Sequence, residues 1–112
     1  MQVSTLDAFA ALDVRTGTIT AAEPFPEARK PAYKLTIDFG QEIGTKRSSA
    51  QLTAHYSETD LVGKQIIAVV NFPPKRIAGF QSEVLVLGVP DGNGQTVLVV
   101  PETHVANGAR LY

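Results

Sequence analysis

Three pairs of adjacent cations, Arg29-Lys30, Lys46-Arg47 and Lys75-Arg76, are the side chains of this sequence best suited to hold a ligand. Cations in loops and on strand faces can line a groove and contact phosphates, gaining Coulomb energy as counterions are released. Taken singly, each pair reads as solvated surface charge, because lysine and arginine are usually exposed; binding requires that the pairs converge. Close to the third pair in sequence stand Asn71, Phe72, Phe80 and Ser82. An asparagine that follows an apolar run either caps the strand end or offers its amide to a ligand. Ser82 is open to the same two readings. The two phenylalanines would either stack on a base or an apolar side chain, or belong to the core.

Bond-making chemistry has no comparable support. Cysteine is absent, which excludes thiolate nucleophiles, thiolate metal sites and disulfides. His55 and His104 are lone histidines without ligand spacing, so no metal and no cofactor is expected. Ser48-Ser49 lacks both a nucleophile elbow and a paired acid and histidine. The 11 acids are scattered among turns and strand ends, with no spacing suited to general acid–base work. Asp91-Gly92-Asn93-Gly94 is hairpin punctuation, not a phosphate-binding loop. These residues point to a binding module and not to an enzyme.

The elements that must position the cations are mostly strands. Ile66 to Val70 and Val84 to Leu87 are short, rich in β-branched residues and bounded by Asn, Pro and Gly, so both read as central strands buried on both faces. Between them, Pro73 and Pro74 remove two backbone donors, so Asn71 to Arg76 is expected to stand out as a stiff, solvent-facing loop. No acid lies from Leu61 through Ser82, so that loop is basic. Tyr33 to Phe39 alternates apolar and polar residues as a half-buried antiparallel strand does. Val14 to Ala22 reads as a strand with a bulge or sharp coil at Gly17. Thr45 to Leu52 reads as an unusually polar strand after a turn at Gly40 to Gly44. Ser57 caps a short helix with Asp60 three residues on. Thr96 to Val100 pairs back after the turn at Pro90 to Gly94. Ser4 or Thr5 caps a short amphipathic helix, which must plug a barrel end or cover a subunit interface.

Three strands, a short helix, two more strands and an extra hairpin give an all-β chain. The order describes a five-stranded OB-fold Greek-key barrel with a short helix between strands 3 and 4, plus an N-terminal helix and a C-terminal hairpin extension, although small SH3-like barrels and split sheets share the composition. At 112 residues a single domain, 1–112, is expected. The net charge of −1 excludes a strongly basic overall field, so any nucleic-acid affinity must come from a local, salt-sensitive patch. The first residues lack a basic segment and carry Asp7 and Asp13, unlike a signal peptide. No apolar run approaches the ~18 residues of a membrane span, so a cytoplasmic protein is expected.

Four segments carry a likeness: Asp13-Val14-Arg15-Thr16-Gly17; Ser49-Ala50-Gln51-Leu52-Thr53 with Tyr56; Leu61-Val62-Gly63-Lys64; and Val69 to Gly79 running into Ser82-Glu83-Val84-Leu85. Together they resemble the tRNA-binding domain family, the OB-fold module attached to some methionyl- and phenylalanyl-tRNA synthetases, and within it the free-standing CsaA secretion chaperones. The likeness covers nearly the whole chain. It implies a homodimer whose interface includes the extensions at about residues 1–12 and 90–112. It also implies two activities, structure-specific binding of tRNA and binding of unfolded or export-bound polypeptides. The family's ligand-pocket positions fall on Asn71, Arg76 and Ser82, with Phe72 and Lys75 beside them, and Lys46, Arg47 and Ser48 on the strand that would wall the same pocket. The synthetase modules usually continue with a methionine-bearing segment after the serine. Glu83-Val84-Leu85 stands there instead and favours the chaperone branch. The expected function is an export-related chaperone that holds precursor polypeptides in a tRNA-binding-type groove; the alternative is a structure-specific tRNA-binding protein.

Overall fold

A computed structural model describes all 112 residues, Met1–Tyr112. In chain order the elements are α1 (Leu6–Ala11), β1 (Val14–Pro24), β2 (Tyr33–Asp38), α2 (Gly40–Ile43), β3 (Thr45–Ala50) and α3 (Glu58–Leu61). They are followed by β4 (Gln65–Val69), β5 (Lys75–Ile77), β6 (Phe80–Ser82), β7 (Leu85–Val86), β8 (Gly88–Pro90) and β9 (Thr96–Leu98). Five strands form one antiparallel sheet in the order β3-β2-β1-β4-β7, which curls into a nearly closed OB-type barrel with α3 between its third and fourth strands. No helix is long and apolar enough to cross a membrane.

Alternation explains the core. Leu35 and Ile37 of β2 point inward and are fully buried, joined by Ile19, Phe39, Leu52, Leu61 and Ile66. β4 is buried along its whole length, as its unbroken apolar run requires. Ile66 and Ala68 face the main core, whereas Ile67 and Val69 join Val14 in a second cluster under Leu12 and Leu87. The other apolar run behaves differently from the doubly buried strand expected. Only Leu85–Val86 is strand; Val84 is buried but Leu85 is half exposed, because β7 pairs with just two residues of β4 at the sheet edge.

Where the barrel ends meet, a seam joins β3 to residues 82–84. Glu83 N–H donates to Arg47 O (2.8 Å), and Arg47 N–H donates to Glu83 Oε1 (2.9 Å). The Ser48 hydroxyl donates to Val84 O (3.1 Å), and Ser82 Oγ accepts from Ser49 N–H (3.0 Å). Side chains therefore supply most of what a backbone ladder would supply elsewhere.

Gly17 is not the bulge. The register shift of β1 lies between Ile19 and Ala21. Gly17 instead allows close approach, since a Cβ there would lie 2.7 Å from both Ile37 Cγ2 and the Phe39 ring. The segment Gly40 to Gly44 is also more than a turn: it closes the single helical turn α2. In α3, Ser57 and Asp60 bond reciprocally in a capping box, and those bonds from Ser57 hold the Asp60 carboxyl below the usual carboxylate range.

The extensions are fastened to β1. Thr16 N–H donates to Ala109 O (3.0 Å), Gly108 N–H to Thr16 O (2.7 Å) and Leu111 N–H to Val14 O (2.9 Å), so the tail takes the edge of β1 that β2 leaves free. The Gln65 amide bonds both backbone groups of Val105, donating to its oxygen (2.7 Å) and accepting from its nitrogen (3.0 Å). β8 and β9 form the expected hairpin, its turn held by Asp91, whose carboxylate accepts from Asn93 N–H (2.8 Å) and Gln95 N–H (2.9 Å). His55 Nε2 lies 2.6 Å from the same carboxylate. These bonds, that from Gln95 foremost and then that from His55, hold the Asp91 carboxyl below its ordinary value. Helix α1, capped by Thr5 Oγ1 accepting from Ala8 N–H (3.0 Å), buries none of its residues.

Candidate functional site

β5 and β6 make a two-residue hairpin with Ala78 (φ 48°) and Gly79 (φ 83°) at its tip, so both turn residues have positive φ, as a type I′ turn requires. Lys75 and Arg76 therefore lie on a strand and not in the loop expected from the prolines. The prolines block donors only through Pro74; from Lys75 on, backbone donors are available and the tight turn brings β6 back to pair with them. Side chains alternate along this ribbon. Lys75, Ile77, Phe80 and Ser82 share one face, and Arg76 and Gln81 share the other.

Two concavities flank the ribbon. The first, of about 450 Å³, opens between the end of β3 and residues 82–86, and its walls include Phe72, Lys75, Ile77, Ser82, Val84 and Leu85. The second, of about 500 Å³, gathers Arg29, Lys30, Lys75 and Arg76. Lys75, Ile77, Ser49 and Gln51 line both, so the two are neighbouring compartments with a common wall. Two of the three cation pairs thus converge.

The third pair does not converge as a pair. Lys46 stands opposite Ile37, which is fully buried, whereas Arg47 stands opposite Thr36, so the two cations point to opposite faces of the sheet. The Arg47 guanidinium carbon lies 4.9 Å from the Phe80 ring centre, and its Nη2 pairs with Glu23 Oε2 at 2.8 Å. Lys34 Nζ lies 4.9 Å from the Phe25 ring centre and 5.4 Å from that of Phe80, and the two rings meet edge to face at 5.4 Å. Phe80 is therefore committed to this cluster. Phe72, 43% exposed, is available to a ligand.

The polar positions are occupied differently from what their types suggest. Ser48 is 1% exposed and its hydroxyl is engaged in the seam, as is that of Ser82. Asn71 Oδ1 accepts from Asp13 N–H (2.8 Å) and its Nδ2 donates to Ala11 O (2.9 Å), fastening the junction of α1 and β1. Arg76 Nη1 reaches only Gly79 O, at 3.4 Å. Of the residues singled out from sequence, Phe72, Lys75 and Ser82 line the first concavity, Lys75 and Arg76 the second, and Lys46, Arg47, Ser48 and Asn71 neither. Sequence reasoning missed Ile77, Glu83 and Leu85, which line the first concavity. Lys34 was readable as the polar face of alternating β2, but its approach to Phe25 and Phe80 depends on a loop path that no local pattern encodes.

Residues 14–110 match a family model described as a tRNA binding domain. Among curated relatives, the methionine–tRNA ligase of Porphyromonas gingivalis (strain ATCC 33277) is 33% identical over 103 residues, covering 92% of this chain and 15% of the ligase. That of Methanosarcina mazei is 28% identical over 116 residues, covering 99% of this chain and 16% of the ligase. The chain thus spans about a sixth of these relatives' length, and the likeness is to their tRNA-binding part alone. Three solved structures match along their full length. The chaperone CsaA of Bacillus anthracis str. Ames superimposes with a TM-score of 0.92 at 54% identity, covering 99% of this chain and 100% of that one. CsaA of Picrophilus torridus gives 0.92 at 49%, covering 98% and 100%. The "MetRS related protein" of Pyrococcus horikoshii gives 0.87 at 27%, covering all of both chains. The barrel is matched end to end by the two chaperones and by the Pyrococcus protein, and its likeness to the ligases lies in their tRNA-binding part. The chain belongs to the tRNA-binding domain family, and within it is similar in build to the CsaA chaperones.

Proposed function

We propose that the chain is a CsaA-like, export-related chaperone that holds unfolded or precursor polypeptides in the groove beside the β5–β6 ribbon, acting in the cytoplasm as a homodimer. The observation that carries this reading is the end-to-end likeness to the Bacillus anthracis CsaA at 54% identity. The character of the groove supports it. Phe72, Ile77, Val84 and Leu85 offer apolar surface that side chains of an extended polypeptide would cover, while Lys75 and Glu83 offer polar partners beside it. The apolar concavity of about 460 Å³ formed by Leu6, Phe9, Leu12, Leu111 and Tyr112 supports the dimer, since these residues stand open on an otherwise unpartnered face. Two grooves on one dimer would add avidity for a long chain.

A second reading, a structure-specific tRNA-binding protein, is favoured by the gathering of Arg29, Lys30, Lys75 and Arg76 around one concavity. The two separate in a competition experiment. Labelled bulk tRNA is titrated over a salt series with an unfolded, basic polypeptide as competitor. Weak tRNA binding displaced by the polypeptide supports the chaperone. Tight binding with a steep salt slope and no displacement supports the tRNA-binding protein.

A further inference from the structure

Helix α1 is attached to the barrel in an unusual way. It has six residues, none buried, so packing of its side chains does not hold it in place. Its C-terminal carbonyls do. Ala10 O and the adjoining Leu12 O accept from Arg110 Nη2 (3.1 and 3.3 Å), and Ala11 O accepts from Asn71 Nδ2 (2.9 Å). The other half of the Asn71 amide accepts from Asp13 N–H at 2.8 Å, and the preceding residue, Val70, just past the end of β4, donates its N–H to Asp13 O at 2.8 Å. Asn71 thus imitates one further backbone residue of a sheet pairing, satisfying a donor and an acceptor that would otherwise lack partners. It does so at the point where β4 ends and the chain turns out into Phe72 and Pro73, both walls of the groove.

We infer that Asn71 is a positioning residue for the groove: its amide grips the α1–β1 junction, and that grip aims Phe72 and Pro73, while Asn71 itself touches no ligand. The inference rests on the reading of the groove as the ligand site. Both ends of the amide are already bonded, and neither concavity beside the ribbon includes Asn71 in its wall. For Asn71 to contact a ligand it would have to release Asp13 N–H and Ala11 O together. The Phe72-Pro73-Pro74 run is stiff within itself, having lost two backbone donors, so its direction is set at its base.

The test uses the full chain, with a fluorescein-labelled, permanently unfolded carboxymethylated polypeptide and bulk tRNA as probes. Amide exchange of Asp13 is followed in the unaltered protein with and without saturating probe. Positioning predicts that its protection is kept or increased on binding; loss of protection on saturation, with Asn71 turning to the ligand, overturns the inference. Asn71→Ala is expected to weaken binding of whichever probe the groove takes about five- to tenfold, the scale of two lost hydrogen bonds, and to unprotect Asp13. Asn71→Asp, which keeps the acceptor and loses the donor, is expected to fall between. Unchanged binding in Asn71→Ala also overturns the inference. Phe72→Ala and Lys75→Ala report separately on the groove: if neither weakens either probe, the groove reading fails independently of Asn71.

Discussion

Lys75 stands in the wall common to the apolar groove and the basic concavity, so under the proposed function its ammonium would reach a ligand lodged in either compartment. Lys75→Ala is expected to weaken tRNA binding and lower the slope of log K against log salt by about one, since one phosphate contact is lost. Filter binding at four or more salt concentrations measures it. Arg47→Ala is expected to leave that slope nearly unchanged, because Arg47 is engaged with Glu23 and the Phe80 ring. Two backbone positions make sharper tests of the fold. Gly17→Ala forces a methyl against Ile37 and Phe39 at 2.7 Å and is expected to cost about 1–3 kcal/mol in chemical denaturation. Ala78→Gly relieves a non-glycine residue at φ 48° and is expected to raise stability by up to ~1 kcal/mol. Residue types announced some of this. The exposed Phe72 and the paired cations of 29–30 and 75–76 were visible as candidates, whereas the partners that engage Asn71, Ser48 and Ser82 were not. Each is bonded to a residue more than thirty positions away in sequence, which no local pattern reports.

At the level of elements, alternation and apolar runs made β2 and β4 legible, because one face or both faces of a strand must be covered wherever it lies. The ribbon β5–β6 was not legible, since three-residue strands carry too little periodicity and the prolines before them suggested an open loop. Nor was the half-exposed β7, whose composition matches a buried strand while its place at the edge leaves one side open. The β8–β9 hairpin depends on one carboxylate. Asp91 has its pKa lowered by bonds present only in the folded chain, so its contribution to stability is complete above the ordinary carboxylate range and is lost as pH falls through the lowered value. Asp13, held down chiefly by its hydrogen bond from Arg15, and Asp60, held down by Ser57, act with the same sign. The thermal midpoint is therefore expected to fall with pH below about 4. Asp91→Asn should lower the midpoint at pH 7 and flatten that acid decline, as scanning calorimetry over a pH series would reveal.

For the molecule as a whole, the barrel and its extensions have different surfaces. The barrel hides most of its apolar residues, Leu85 and Phe72 beside the groove excepted, whereas α1 and the tail leave Leu6 and Tyr112 almost wholly exposed beside Phe9 and Leu111. Under the proposed dimer these residues are covered by a second copy. Light scattering at micromolar concentration should then give twice the 12.0 kDa chain mass, and Leu6→Asp with Phe9→Asp should return it to one chain. A single-chain mass for the unaltered protein would count against the dimer. The five-stranded barrel itself was legible from element order joined to the family likeness, because order alone also suits SH3-like barrels and split sheets.

The seam between β3 and residues 82–84 has a bearing on the order in which the chain assembles. Its bonds join positions 33 to 36 apart in sequence, whereas the β2–β3 pairing is a neighbouring one spanning only the helix α2. Loop-closure entropy places such non-local contacts late on the folding path. Removing one, as in Ser48→Ala, would then act almost wholly on the unfolding limb of a chevron plot, leaving the folding rate near its original value. The seam would form after the β2–β3 pairing, and the barrel would open along the line where side chains stand in for a ladder.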